Sequence, residues 1–176
     1  MATTKWALDP THSEIQFKVK HLMITNVTGS FDKFEASVET EDEDFMKAKI
    51  SFTADIDSIS TGNEQRDGHL KSADFFDVEK YPEIVFEGNE MIQKDEENFV
   101  LNGNLTIKSI TKEINLLVEF GGLMTDPWGN KKAGFSVTGE INRKDWGMEW
   151  NAALEAGGVL VGEKVKILCE VEFLIS

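Results

Sequence analysis

The sequence predicts an all-β protein: a single antiparallel β-barrel of about eight strands with one short helical segment, about 62–71, near one end. Three observations lead there. Apolar and polar residues alternate with a period of two through run after run of the chain. Clusters of turn-forming residues separate the runs. One stretch, residues 61–77, abandons the alternation and gathers Arg66, Asp67 and His69 ahead of the pair Phe75-Phe76. Alternation over this length marks antiparallel strands with one wet face.

A short strand near Trp6 comes first, followed by residues 13–20, which place Ile15, Phe17 and Val19 on one face. A run at 31–38 leads to residues 47–56, which align Ala48, Ile50, Phe52, Ala54 and Ile56. Thr61-Gly-Asn-Glu64 then fits a capping box, in which a threonine hydroxyl and a glutamate three residues on satisfy each other's amides. The helix it opens would carry Arg66, His69 and Leu70 on one face and pair Asp67 with Lys71. Beyond it lie a short strand at 84–86 and a hairpin turn at Lys94-Asp-Glu-Glu-Asn98. Phe99, Leu101, Leu105 and Ile107 share the next face, then Ile114, Leu116, Val118 and Phe120. Asp126-Pro-Trp-Gly-Asn130 reads as a turn. The last two strands face Ala133, Phe135, Val137 and Ile141, then Val165, Ile167, Cys169, Val171 and Phe173, inward. That makes eight to ten strands in one domain, 1–176, and the first and last could pair to close a barrel. An eight-stranded barrel is just wide enough to be filled by side chains or to hold one small ligand.

Charge narrows the partners. Eighteen basic and 32 acidic residues give a net −14, which disfavours nucleic acid and acidic membrane surfaces. The densest acidic run, Glu39-Thr-Glu-Asp-Glu-Asp44, lacks the ligand spacing and turn glycine of a calcium loop and reads as solvated. The lone Cys169 excludes an internal disulfide and reads as a buried, inert thiol. No run is long and apolar enough to span a bilayer, so stable membrane insertion is not expected. The N-terminal residues carry no signal peptide, which reads as cytoplasmic, or as periplasmic for a chain whose leader has been removed.

His12, His21 and His69 show no metal-ligand spacing, so no metal and no cofactor are expected. Ser13, His12 and Asp9 are too nearly adjacent on an extended chain to form a hydrolase triad, and G-x-S-x-G is absent. Arg66 and Arg143, beside Asp67 and Asp145, need partners if buried. They either tie the helix to a strand or meet the polar head of a ligand.

The chain resembles the YceI-like family of lipocalin-type, polyisoprenoid-binding proteins over essentially its whole length. The resemblance rests on Trp6-Ala-Leu-Asp-Pro-Thr-His-Ser13, Phe17-Lys-Val-Lys-His-Leu22, Gly29-Ser-Phe-Asp-Lys-Phe34 and Ser58-Ile-Ser-Thr-Gly-Asn63. It continues in Arg66-Asp-Gly-His-Leu-Lys-Ser72, Asp74-Phe-Phe-Asp77 and Tyr81-Pro-Glu-Ile-Val-Phe86. Gly103-Asn-Leu-Thr-Ile-Lys108 and Asn142-Arg-Lys-Asp-Trp-Gly147 complete it. The resemblance implies an extended lipocalin-like barrel whose lumen takes a long isoprenoid or fatty lipid, and it leaves room for a homodimer. Two positions depart from the pattern: Ser109, where the family commonly has glycine, and Trp146, where phenylalanine is usual.

The expected activity is therefore non-enzymatic: binding, transport or sequestration of a polyisoprenoid, isoprenoid quinone or similar amphiphile. Phe17, Val19, Phe52, Leu105 and Phe135 are the expected lining, with Phe75 and Phe76 at one end. His21, Arg66, His69 and Arg143 are the expected polar anchors, and Trp146 fills lumen or mouth. The alternatives are a small enzyme acting on an isoprenoid-type ligand in the barrel, or an interaction domain with a filled core.

Overall fold

The computed structural model describes residues 2–151 and 160–175. Eleven strands appear in chain order. They are β1 (Thr3–Leu8), β2 (Glu14–His21), β3 (Thr25–Phe31), β4 (Phe34–Glu41), β5 (Asp44–Asp55) and β6 (Ile59–Ser60), then β7 (Glu83–Gln93), β8 (Asn98–Ile107), β9 (Ile110–Thr125), β10 (Lys131–Asn142) and β11 (Val161–Ile175). A single α-helix, α1 (Glu64–Lys71), interrupts them among the described residues. All strand pairings are antiparallel.

Eight strands close the barrel in the order β1-β4-β5-β7-β8-β9-β10-β11, and β11 pairs back onto β1. The closure is uneven because β11 is shared. Its C-terminal part pairs with β1 (Leu8 opposite Phe173), while its N-terminal part pairs with β2 (Val19 opposite Val165). From β2 the sheet runs on through β3 to β6. The registers therefore give the barrel two different ends. One end holds the β4–β5, β7–β8 and β9–β10 connections. The other holds the β2–β3 and β8–β9 turns, α1 and a 3-10 turn, Arg143–Trp146.

The alternating runs became the expected strands with the expected inward faces. Turn chemistry agrees: Asp95 Oδ1 accepts from the amides of Glu97 and Asn98, and Asp126 Oδ1 from those of Trp128 and Asn130. These bonds hold both carboxyls below their ordinary values. Two strands carry no strong alternation, β3 and the two-residue β6, and the apolar run at 31–38 is split by a turn between β3 and β4.

The helix differs in detail. It starts at Glu64, capped by the Asn63 side chain, which accepts from the Arg66 amide. Thr61 is drawn away from the capping role because its hydroxyl donates to Asp67 Oδ1 at 2.5 Å. Lys71 likewise pairs with Asp57 (3.4 Å). An eight-residue helix with no fully buried side chain is held by such contacts, since it is too short to persist on propensity alone.

Candidate functional site

The inward faces enclose a cavity of about 300 Å³. Ile15, Phe17 and Val19 of β2, Val27 of β3, Phe52 of β5, Leu105 of β8, Phe135 of β10 and Cys169 of β11 all contribute to its wall. One glycine makes part of that wall possible. A Cβ on Gly29 would lie 2.3 Å from the Phe17 ring, so the missing side chain lets that ring lie across β3. Burial pushes the Cys169 thiol up to about 12, as an apolar surround does to any acid that gains charge on losing its proton.

One end of the lumen is plugged. Phe45 packs against Trp6 (5.2 Å between ring centres), Phe120 (5.7 Å) and Phe135 (5.1 Å), and Phe135 reaches Phe173 (6.2 Å). The Trp6 indole N–H donates to the buried Thr40 hydroxyl at 3.1 Å, which satisfies its polar edge.

The other end is open and basic. The exposed members of the lining are Lys20, His21 and Arg66, and together they mark the mouth. Thr61 fixes Arg66: its hydroxyl accepts from Nε (2.7 Å) and its carbonyl from Nη2 (2.6 Å). Arg143 also lines the cavity but is 3% exposed. It donates to the carbonyls of Met148 (2.6 Å), Gly162 (2.9 Å) and Val161 (3.4 Å), and its guanidinium lies 5.6 Å from the Phe75 ring centre. Burial pushes its pKa below the ordinary value, and the Glu163 carboxylate acts the other way. Among the described residues neither arginine has a carboxylate within ion-pair distance, and no Asp or Glu lines the cavity. The partners foreseen beside them are otherwise engaged or turned away: Asp67 holds Thr61, and the buried guanidinium takes backbone carbonyls where Asp145 was an option.

Of the twelve candidate residues, ten line the cavity: Phe17, Val19, His21, Phe52, Arg66, Phe75, Phe76, Leu105, Phe135 and Arg143. Two do not. His69 turns off the lumen, its Nε2 2.9 Å from Asp74 Oδ2 and its ring edge-on to Phe75 and Trp150. An aromatic clamp and a neighbouring carboxylate hold it outside. Trp146 is 2% exposed and sits behind the wall, where its indole N–H donates to the Leu105 carbonyl at 3.0 Å. The larger ring therefore strengthens the barrel end and takes no lumen space. Sequence reasoning missed Lys20, which is out of phase with Val19, and Val27, because the weakly alternating β3 escaped notice. The signal available for Val27 was its two-residue spacing from Gly29 and Phe31.

Away from the cavity, Asp9, His12 and Glu172 bring ligand atoms within 4.8 Å of one another. Lys132 already occupies the centre of charge, 3.4 Å from both Asp9 and Glu172. His12 (2.8 Å), Thr11 and Lys132 together hold the Asp9 carboxyl far below its ordinary value. Ser13 donates to the Asp9 carbonyl and accepts from the Glu172 amide, so its hydroxyl is bound to backbone and not to His12.

A closed antiparallel barrel with an apolar lumen, plugged at one end and ringed by basic groups at the other, defines a lipocalin-like architecture. The chain belongs to the YceI-like family: that domain matches residues 6–173. UPF0312 protein SA2479 of Staphylococcus aureus is 44% identical over 174 residues, 98% of this chain and 99% of the relative. The crystal structure of a Campylobacter jejuni YCEI protein superposes with a TM-score of 0.77 at 32% identity, covering 90% of this chain and 91% of the other. A polyisoprenoid binding domain from Saccharophagus degradans shares the fold, with a TM-score of 0.72 at 14% identity, covering 97% and 98%.

Proposed function

We propose that this protein binds a long apolar lipid and carries or sequesters it, with the chain in the lumen and an anionic or acceptor-rich head at Lys20, His21 and Arg66. It acts as a binding protein and not as an enzyme. A single observation carries the reading: an apolar cavity whose lining, among the described residues, includes four basic side chains, all at one end, and no carboxylate, in a chain with 32 acidic residues. Ligand sites are typically apolar with a few placed polar groups, and their volumes of roughly 300–1,000 Å³ include this one. Polyisoprenoids and isoprenoid quinones fit that description, and the polyisoprenoid binding domain of the same fold supports the choice.

Native mass spectrometry after gentle purification, followed by organic extraction, tests the reading. The expected result is a lipid-loaded species that extraction empties and that an isoprenoid quinone or polyprenyl phosphate refills. Arg66→Ala should weaken the phosphate-headed ligand by about tenfold, the loss of one charge-assisted contact, and the matching alcohol by less. Recovery of no lipid, together with no uptake of either ligand, contradicts the reading.

A further inference from the structure

The β2–β3 hairpin ends in Leu22, Met23 and Ile24, which are 39%, 55% and 77% exposed. The Ile24 amide donates to the His21 carbonyl (3.2 Å), closing a turn around Leu22 and Met23 within the three-residue loop 22–24, and the Leu22 amide donates to the Leu160 carbonyl (2.9 Å). Leu22 and Met23 both have positive φ, 54° and 65°. Such a turn favours Asn-Gly, and large apolar residues there are uncommon. The β8–β9 turn also places two consecutive residues at positive φ, yet these are Lys108 and Ser109. The fold itself therefore does not call for an apolar tip.

Charge singles out the same hairpin. Residues 15–31 contain no aspartate or glutamate but do contain Lys18, Lys20 and His21, in a chain of net −14. On the adjacent strand Glu163 is paired with Lys144 (2.8 Å), and Lys164, itself 3.7 Å from Glu140, and Lys166 follow it. The connections at the opposite end carry Asp42, Glu43, Asp95, Glu96, Glu97 and Asp126. A tip-first approach to an anionic surface brings the lysines of the hairpin close and keeps those acids farther than the screening length of about 8 Å at physiological salt. The acids of the mouth end, Glu64, Asp67 and Asp145, belong to α1 and the Arg143–Trp146 turn and not to the hairpin. The tip also adjoins the opening, since Lys20 and His21 line the cavity.

We infer that the β2–β3 hairpin tip is a membrane-contact element: Leu22, Met23 and Ile24 dip among the headgroups of an anionic lipid bilayer and turn the mouth of the lumen toward it. The contact is shallow and reversible, an apolar tip with a basic flank lying in the interface without spanning it. It gives a lipid chain a route between bilayer and lumen. That purpose rests on the carrier reading, whereas the contact itself does not.

Vesicle flotation with phosphatidylcholine–phosphatidylglycerol vesicles tests it. The protein is expected to float with the vesicles, and L22N/M23G/I24T to float about tenfold less, having lost its apolar tip. Asn-Gly suits this turn, so the variant keeps the fold. A polarity-sensitive thiol dye supplies the second readout, because the buried Cys169 thiol leaves an introduced cysteine as the reactive one. Dye on M23C should shift to the blue on adding vesicles. Dye on W128C, at a still more exposed aromatic of the acidic end, should not. Failure of the parent protein to float, equal flotation of the tip variant, or equal shifts at both ends overturns the inference. So does a tip variant that only converts a dimer to a monomer, which makes a second copy the occupant. Extraction of the same samples separates the two claims. A lipid-filled protein that ignores vesicles refutes the contact alone, and an empty one that floats refutes the carrier reading alone.

Discussion

The two ends of this barrel are made of the same strands and solve opposite problems. At the acidic end, Trp6, Phe45, Phe120, Phe135 and Phe173 interlock, hydroxyl and indole groups satisfy each other, and aspartate-capped turns tie the strands. At the mouth end, β11 leaves β1 for β2, a helix without fully buried side chains lies against β6, and among the described residues two arginines line the lumen without carboxylates. The first arrangement buries area and contributes stability. The second keeps space and charge without carboxylate partners, which suit a ligand, and holds itself together through Arg143 and Trp146 on backbone carbonyls.

The difference can be broken at several points. Phe135→Ala, at the centre of the plug, should cost about 3–5 kcal/mol in chemical denaturation, the range for deleting a buried ring. A loss below about 1 kcal/mol would mean that the plug is loosely packed. Arg143→Leu takes the donor from the buried Met148 carbonyl and the half-buried Gly162 carbonyl, Val161 keeping that of Asn151 (2.7 Å), and should cost about 2–3 kcal/mol. Arg143→Lys should not restore it, because an ammonium cannot reproduce the fork that meets them.

Asp9→Asn should cost about 1–2 kcal/mol at neutral pH, for the charge-assisted bonds to His12 and Lys132. The folded carboxyl titrates below its unfolded value. Its contribution is therefore full above the unfolded value of about 4 and fades as pH falls from there toward the folded one. The difference between the parent protein and the variant should shrink over the same range. A constant difference down to acid pH would show that the carboxylate charge is not what matters. Smallest of all, Ser109→Gly should stabilise by about 0.5–1 kcal/mol, because Ser109 sits at φ 63°, where glycine is unstrained.

The walls were readable from sequence because period-two alternation reports directly which side chains point inward. Phe52, Leu105, Phe135 and the face from Val165 to Phe173 all followed from it, whereas Phe45, within the plug, lies ahead of the run read at 47–56. The mouth was harder to read, because its residues belong to elements without a period. His69 and Arg66 share a helix face by spacing, but contacts with Trp150 and Asp74 hold one outside while Thr61 aims the other inward. The cap moved from Thr61 to Asn63 for the same reason, since a side chain with two available partners takes the one tertiary packing supplies. Lys20 depends on β11 switching partners, which no local pattern encodes, and Val27 showed only as a weak two-residue spacing with Gly29 and Phe31.

The central claim is that the lumen holds a chain, and filling it tests that claim most directly. Ala36 of β4 is half-buried and faces the cavity, so Ala36→Phe puts a ring where the lipid tail would lie. The account predicts that this variant melts within a few degrees of the parent protein and binds a long isoprenoid alcohol about tenfold or more weakly, the tail's burial being blocked. Equal affinity in a folded Ala36→Phe protein would contradict it.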